Sequence, residues 1–176
     1  MSGVLEPTND AYALAKICGI KLCDYYREQG LNYYSVMLTN LYGPNDRYDV
    51  EKSHVIPAMI LKFLKAKEEQ LPSVVLWGDG SPLREFLHVD DLSQAILNTL
   101  QNKSEFGMIN VGSGIEISIK NLAYTIQKII GYDGEIIFDT NKPNGVERKL
   151  MDSNIIRSLG WQPKISLEQG LNKILS

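Results

Sequence analysis

Apolar and polar positions along the chain follow helical spacing in some segments and form short apolar runs in others. Leu122, Ile126 and Ile129 share one helical face and predict a helix from about 118 to 130. Further helices are predicted at about 10–29, 53–67, 90–101 and from the capping-box sequence 166–169 onward. Strands or extended segments are predicted at 33–39, 74–77, 85–89, 108–111 and 135–138.

This alternation of helices and strands indicates an α/β fold with a mainly parallel sheet. We expect residues 8–10 to cap the first helix and Asp90 and Asp91 to cap the third. Residues 40–44 are predicted to form a turn. The polar stretch 45–52 and the connection 102–107 are expected to be the crossings between two subdomains.

Composition narrows the class of protein. The 176 residues are 44% hydrophobic and 22% charged, as in ordinary globular domains. The 18 basic and 21 acidic residues give a net charge of −3, so we expect no nucleic-acid partner. The apolar runs are too short to cross a bilayer, and the first residues do not resemble a signal peptide. We therefore expect no membrane partner, a cytoplasmic location, reduced Cys18 and Cys23, and no metal site.

Tyr12 and Lys16 lie four residues apart on the first predicted helix and therefore share a face. A phenol beside an ammonium group can give a proton to a carbonyl oxygen or take one from a hydroxyl. The alternative is a solvent-facing tyrosine–lysine pair without a catalytic role, which the spacing alone favours.

Several motifs occur in order along the whole chain. They are Leu5-Glu6-Pro7-Thr8-Asn9, Thr39-Asn40-Leu41-Tyr42-Gly43-Pro44, Ser53-His54-Val55-Ile56-Pro57-Ala58, Arg84-Glu85-Phe86-Leu87-His88-Val89-Asp90-Asp91, Ile109-Asn110-Val111-Gly112-Ser113-Gly114, Lys142-Pro143-Asn144-Gly145 and Gly160-Trp161. With these motifs around the Tyr12–Lys16 pair, the chain resembles the nucleotide-sugar branch of the extended short-chain dehydrogenase/reductase family, and within it the GDP-L-fucose synthases.

The resemblance implies a fold and an activity. The fold would be the back half of a Rossmann-like parallel sheet plus a smaller C-terminal α/β subdomain that binds substrate. Residues 1–44 and 82–112 would form the NADP-binding part, and residues 45–81 and 113–176 the GDP-sugar part. The family epimerises C3 and C5 of GDP-4-keto-6-deoxy-D-mannose and reduces C4 with NADPH, which yields GDP-L-fucose.

The resemblance also implies a role for individual residues. Tyr12, Lys16 and His54 would be catalytic, with Tyr12 as proton donor to the C4 oxygen and His54 as general acid in epimerisation. The NADP(H) contacts would come from Lys16, Leu38, Thr39, Asn40, Leu41 and His54. The substrate contacts would come from Lys62, Trp77, Arg84 and Asn144, and Asn144 stands where the family often has an aspartate.

For some of these residues a structural role remains the alternative. His54 can be a helix-end histidine with a structural hydrogen bond, and Trp77 can be a core residue. Arg84 can form a surface ion pair with Glu85 or an aspartate. His88, inside an apolar segment, is interpreted as structural in either case.

The sequence lacks the glycine-rich βαβ start of a dinucleotide-binding domain. It also lacks the family's catalytic serine and its epimerisation cysteine, whose positions neither Cys18 nor Cys23 matches. We expect on the order of 100 residues to be absent upstream. The chain alone is therefore expected to be inactive, to bind little NADPH and to self-associate, whereas the full-length form is expected to be a homodimer. The alternatives are a non-catalytic GDP-sugar-binding fragment and a sibling NAD-dependent nucleotide-sugar epimerase or dehydratase.

Overall fold

A computed structural model describes residues 4–5, 9–49, 53–102 and 106–175. Its helices are α1 (Asp10–Glu28), α2 (Val55–Glu68), α3 (Val89–Gln101), α4 (Ile119–Ile130), α5 (Asn154–Ser158) and α6 (Leu167–Leu175). Its strands are β1 (Ser35–Leu38), β2 (Asn40–Tyr42), β3 (Ser73–Trp77), β4 (Leu83–His88), β5 (Met108–Val111), β6 (Glu116–Ser118), β7 (Glu135–Asp139) and β8 (Arg148–Lys149). The α/β class is confirmed. No helix within these described ranges is long and apolar enough to span a membrane.

The first two strands belong to one stretch of chain that changes partner at Thr39. β1 pairs in parallel with β5, with Leu38 opposite Val111. β2 pairs in parallel with β4, with Asn40 opposite Phe86. Between them the Thr39 amide donates to the Val111 carbonyl at 3.2 Å. The sheet therefore divides at Thr39, and such a division opens a crevice at the carboxyl ends of parallel strands.

The remaining strands form one further sheet and extend the sheet of β2 and β4. β3 and β7 form a separate parallel pair in which Ser73 lies opposite Glu135 and Trp77 opposite Asp139. β4 also pairs with β6, antiparallel, and with β8, parallel. The pairing is therefore mainly parallel, as the alternating pattern predicted, but it is distributed over three sheets.

The apolar core falls into two clusters. The larger one surrounds Phe63 and joins α2, α4 and α6 to β3, with Tyr42 and Phe86 at one edge. The smaller one is built from α3, α5 and β5, and its fully or nearly buried members are Leu87, Ala95, Ile109, Val111, Ile156 and Trp161. Helix α1 contributes only Ile20 to the buried residues and leaves most of its surface exposed.

Local contacts define the ends of α4 and the start of α6, and the second of these was predicted. Ser118 caps α4 by accepting the Asn121 amide, and Gly131 ends that helix with φ 67°. At α6, the Ser166 amide donates to the Gln169 side chain, and the Gln169 amide donates to the Ser166 hydroxyl. This reciprocal pair is the predicted capping box.

Other local predictions are wrong. Residues 40–42 form β2 rather than a turn, because pairing with β4 outweighs the local preference of Asn40 and Gly43 for turns. His88, not Asp90 or Asp91, caps α3, since its Nδ1 accepts the Asp90 amide at 3.2 Å. The cap predicted at residues 8–10 is only partly described: Asn9 makes no side-chain cap, and Thr8 lies outside the described residues.

Three short elements, β6, β8 and α5, were not predicted because they are too short to show a periodic pattern. The two predicted crossings, 45–52 and 102–107, include residues 50–52 and 103–105, which lie outside the described residues.

Candidate active site

A cleft of about 580 Å³ opens at Thr39, between β1, which pairs with β5, and β2, which pairs with β4. Its volume falls within the roughly 300–1,000 Å³ typical of small-molecule sites. Tyr12, the end of β1, all of β2 and the start of α2 form its walls. The lining residues predicted from sequence are Tyr12, Leu38, Thr39, Asn40, Leu41 and His54, and those not predicted are Tyr42, Gly43, Pro44, Asn45, Asp46, Val55, Ile56, Phe86 and Val89.

Tyr12 and Lys16 form the α1 side of this site. The first turns of α1 carry both side chains on one face, and the Lys16 Nζ lies 5.3 Å from the centre of the Tyr12 ring. Tyr12 is 59% exposed and lines the cleft, so its hydroxyl is accessible to a ligand there. Lys16 does not line the cleft itself but stands behind Tyr12 as a nearby positive charge.

His54 lies at the start of α2, at the opposite side of the cleft. It is the N-cap residue by its backbone, whose carbonyl accepts the Ala58 amide, but its side chain makes no capping hydrogen bond. The imidazole is exposed and lines the cleft. The structural hydrogen bond proposed as the alternative role of His54 is therefore not made to any described residue.

Thr39 and Asn40 are held by side-chain hydrogen bonds to one carbonyl group. The Thr39 Oγ1 and the Asn40 Nδ2 both donate to the carbonyl oxygen of Glu85, at 3.1 and 2.9 Å. Leu38, at the end of β1, is 42% exposed and lines the cleft.

Glu85, whose carbonyl holds the Thr39–Asn40 wall of the cleft, is a further residue that the sequence did not single out. Its side chain is fully buried, and its two oxygens accept the amides of Gly114 at 2.6 Å and Met151 at 3.1 Å. The sequence did hold one indication, because Glu85 lies within the apolar run of β4. A carboxylate buried in such a run is costly unless it accepts hydrogen bonds. The Arg84–Glu85 ion pair considered from sequence is wrong, because the carboxylate faces backbone amides instead.

The predicted substrate residues do not line this cleft but gather around the ends of β3 and β7. Trp77 is 64% exposed, so the core role considered for it is wrong, and the Lys142 Nζ lies 5.5 Å from its ring centre. The Asn144 Oδ1 accepts the Asp79 amide at 2.8 Å. Asn144 therefore fixes the loop 142–145 against the turn that follows Trp77.

Arg84 and Lys62 flank the same region. Arg84 donates to the Leu83 carbonyl at 2.8 Å and lies beside Gly145, and partial burial lowers the pKa of its guanidinium. Lys62 donates to the Val75 carbonyl on β3 at 3.0 Å, and desolvation lowers its pKa as well. Desolvated cations of this kind gain more from an anionic ligand than fully hydrated ones do.

The cleft lining does not include Arg148, Cys18, Cys23 or His88. Arg148, a further basic residue near this surface, is bound by both oxygens of Glu116 at 2.7 Å. Cys18 is an exposed free thiol on α1 and Cys23 a partly buried one, and neither lines the cleft. His88 is fully buried and caps α3, in agreement with its structural interpretation. Within the described ranges, no group of three or more His, Cys, Asp or Glu side chains is arranged to hold a metal.

Comparison with known proteins finds similar sequences that share one name and match nearly the whole chain. "Probable GDP-L-fucose synthase 1" of Oryza sativa subsp. japonica is 51% identical over 172 residues, which are 97% of this chain and 52% of that protein. "GDP-L-fucose synthase" of Escherichia coli (strain K12) is 48% identical and covers 97% of this chain and 56% of its own length. The chain thus spans about half the length of the curated relatives it matches.

A solved structure and a family model agree with these relatives. The GDP-mannoheptose C4 reductase from Campylobacter jejuni with NADP bound superposes with a TM-score of 0.86 at 34% identity, over 99% of this chain and 61% of that one. The model of the NAD dependent epimerase/dehydratase family matches residues 2–112, more than half of the chain. With the parallel sheet divided at Thr39 and a cleft at the division, this match shows that the chain belongs to the NAD dependent epimerase/dehydratase family.

Proposed function

We propose that the chain supplies the proton-transfer and sugar-binding part of an enzyme that epimerises GDP-4-keto-6-deoxy-D-mannose at C3 and C5 and reduces it at C4 with NADPH. The observation that carries this proposal is the single cleft that gathers Tyr12, Thr39, Asn40 and His54. These residues come from three separate parts of the chain, and the family resemblance implies a catalytic or cofactor-binding role for each of them. The similarity to GDP-L-fucose synthases supports the same substrate.

The residues of the cleft fit the nicotinamide end of NADP(H). The chemistry that a bound NADPH supplies is donation of hydride to the C4 carbonyl carbon. Lys16 would hold the ribose hydroxyls beside that ring, while Leu38, Thr39, Asn40 and Leu41 line the wall along which it would lie. Tyr12 would give its phenolic proton to the C4 oxygen, so that the ketone becomes a hydroxyl, and the ammonium of Lys16 stabilises the phenolate left behind.

His54 suits the epimerisation step. Protons at C3 and C5 are acidified by the C4 carbonyl, so removing one leaves an enolate that can be reprotonated on the opposite face. Inversion therefore needs a base on one side and an acid on the other. His54 would be the acid, because its imidazole is exposed in the cleft and makes no hydrogen bond to the described residues. Cys18 and Cys23 lie on α1 outside the cleft, so neither is assigned as the base.

The surface around Trp77 suits the GDP part of the substrate. Trp77 offers a largely exposed ring for stacking, and Arg84 and Lys62 offer positive charge to the diphosphate. Asn144 would contact the nucleotide from the loop 142–145 through its amide group, since its oxygen already accepts the Asp79 amide.

The proposal extends to the organisation of the molecule. Residues 1–44 and 82–112 form the NADP-binding part, and residues 45–81 and 113–176 the GDP-sugar part, in a cytoplasmic enzyme. A homodimer through α1 would cover the exposed apolar side chains of that helix, which include Leu14, Leu22 and Tyr25. Because the 176 residues contain no glycine-rich βαβ unit, turnover requires such a unit from additional chain.

A chimeric enzyme tests this proposal. The dinucleotide-binding half of the Escherichia coli relative is joined ahead of Met1, and NADPH oxidation is measured with GDP-4-keto-6-deoxy-D-mannose. We expect the chimera to produce GDP-L-fucose and the 176-residue chain alone to bind little NADPH and to be inactive. A chimera that binds NADPH but reduces only a GDP-heptose, or one that prefers NADH, would contradict the proposed substrate or cofactor. Binding of GDP-sugar by the chain, with no activity in any chimera, would support a non-catalytic sugar-binding function instead.

A further inference from the structure

Glu85 lies on β4 beside the point where the sheet divides, because its carbonyl is bonded to Thr39 and Asn40. β4, which carries it, pairs with β2, while β1 pairs with β5. Beyond Val111 the chain turns at Gly112, and the Glu85 carboxylate lies against that turn. A Cβ at Gly112 would come within 2.8 Å of the Glu85 Cδ and closer still to its Oε1. The glycine thus leaves the space that the carboxylate fills.

The carboxylate joins three separate segments of the chain. It is held in β4, and it accepts one amide from the turn after β5, at Gly114, and another from the segment after β8, at Met151. A fully buried carboxylate is costly unless hydrogen bonds satisfy it, so these contacts fix the position of β4 at this residue. Arg157 also holds this turn by donating to the Ser113 carbonyl at 2.7 Å.

The backbone of the same residue fixes the wall of the cleft. The Glu85 carbonyl accepts hydrogen bonds from both Thr39 and Asn40, the two residues at which the chain changes partner. One residue therefore connects the buried turn on its side-chain side with the cleft on its backbone side. Movement of β4 at Glu85 would carry the Thr39–Asn40 wall with it.

We propose that Glu85 is a positioning residue, whose buried carboxylate sets the place of Thr39 and Asn40 in the cleft and thereby the alignment of the nicotinamide end for hydride transfer. Its consequences for catalysis rest on the proposed function, whereas its effect on Thr39 and Asn40 does not. His54 reaches the cleft from α2 rather than from β2 or β4, so proton exchange at the sugar should not depend on Glu85.

The test compares Glu85→Gln with a matched control. A glutamine keeps the shape but can accept only one of the two amides and turns an NH₂ group toward the other. Asp91→Asn makes the same change elsewhere, because Asp91 is also buried and accepts two backbone amides, from Lys164 and Ile165. Both variants should lower the melting temperature. A difference between them in exchange or in activity therefore reports the position of Thr39 and Asn40 rather than a general loss of stability.

Two readouts decide the outcome. In the 176-residue chain, hydrogen exchange by NMR should rise at the Gly114 amide and the Asn40 side-chain amide in Glu85→Gln but not in Asp91→Asn. In the chimera, Glu85→Gln should slow NADPH-dependent reduction about tenfold or more, as expected for a misplaced reactant, and leave deuterium uptake at C3 and C5 unchanged. Should Glu85→Gln not fold, Glu85→Asp, which withdraws the carboxylate by one methylene, gives the same comparison.

Several results would overturn the proposal. Unchanged exchange at Asn40 and Gly114 in Glu85→Gln would refute the positioning of the wall. Equal losses of reduction and deuterium uptake in Glu85→Gln, or equal losses of reduction in both variants, would show a merely structural role. An inactive wild-type chimera would refute the proposed function alone, because the exchange measurement would still decide the role of Glu85 in the chain.

Discussion

Replacing Gly112 by alanine should destabilise the chain strongly. The added Cβ would lie 2.8 Å from both the Cδ and the Oε2 of Glu85 and closer still to its Oε1, well inside van der Waals contact. The side chain must move, and it then weakens its hydrogen bonds to Gly114 and Met151. Hydrogen bonds to a charged group contribute about 1.5–3 kcal/mol each, and overpacking costs about 1–3 kcal/mol. We therefore expect a loss of about 3 kcal/mol or more in the free energy of unfolding.

Urea unfolding measures this loss, with Trp161 as a buried fluorescence reporter. Gly19→Ala is the matched control, because a Cβ at Gly19 meets nothing within 4 Å. Gly19 lies inside α1, where alanine is preferred over glycine, so this variant should gain about 0.5–1 kcal/mol. A Gly112→Ala variant as stable as the wild type would refute the placement of the Glu85 carboxylate against the turn.

Three further predictions concern other parts of the chain. Burial lowers the pKa of His88 below 6.5, so the unfolded chain binds this proton more readily than the folded chain does. The contribution of His88 to the free energy of unfolding should therefore be fully present above about pH 6.5 and decrease as the pH falls toward the pKa of the folded state. His88→Asn keeps a capping side chain for the Asp90 amide and should remove this pH dependence in urea titrations. Ser166→Ala breaks the capping box with Gln169 and should cost about 1 kcal/mol by thermal unfolding, and an unchanged melting temperature would contradict this. The chain alone should self-associate in light scattering, and Leu22→Glu on the exposed face of α1 should shift it toward monomer, whereas a monomeric wild type would refute the expectation.

The features that the sequence predicted well are local. The apolar face of α4 and the capping box of α6 each depend on residues three or four positions apart. The Tyr12–Lys16 proximity is of the same kind, since helical spacing alone places the two side chains on one face. These contacts do not require knowledge of the rest of the fold.

The features that were missed depend on contacts between distant residues. β2 looks like a turn until β4, more than forty residues later, pairs with it. Glu85 accepts amides 29 and 66 residues away, and nothing in the local sequence indicates that these amides approach it. Through the resemblance, the sequence named the candidate residues of the cleft and assigned Trp77 and Asn144 to a separate GDP-sugar part, but it did not indicate that Asn144 accepts the Asp79 amide beside Trp77.

The central claim is that one cleft carries two distinct proton transfers, one by Tyr12 and one by His54. The most direct measurement uses the chimera in D₂O and follows deuterium uptake into the sugar and NADPH oxidation in the same sample. Tyr12→Phe should retain uptake and lose reduction, and His54→Gln should lose uptake at C3 and C5 while nucleotide binding persists. Undiminished deuterium uptake in His54→Gln, or undiminished reduction in Tyr12→Phe, would contradict the account.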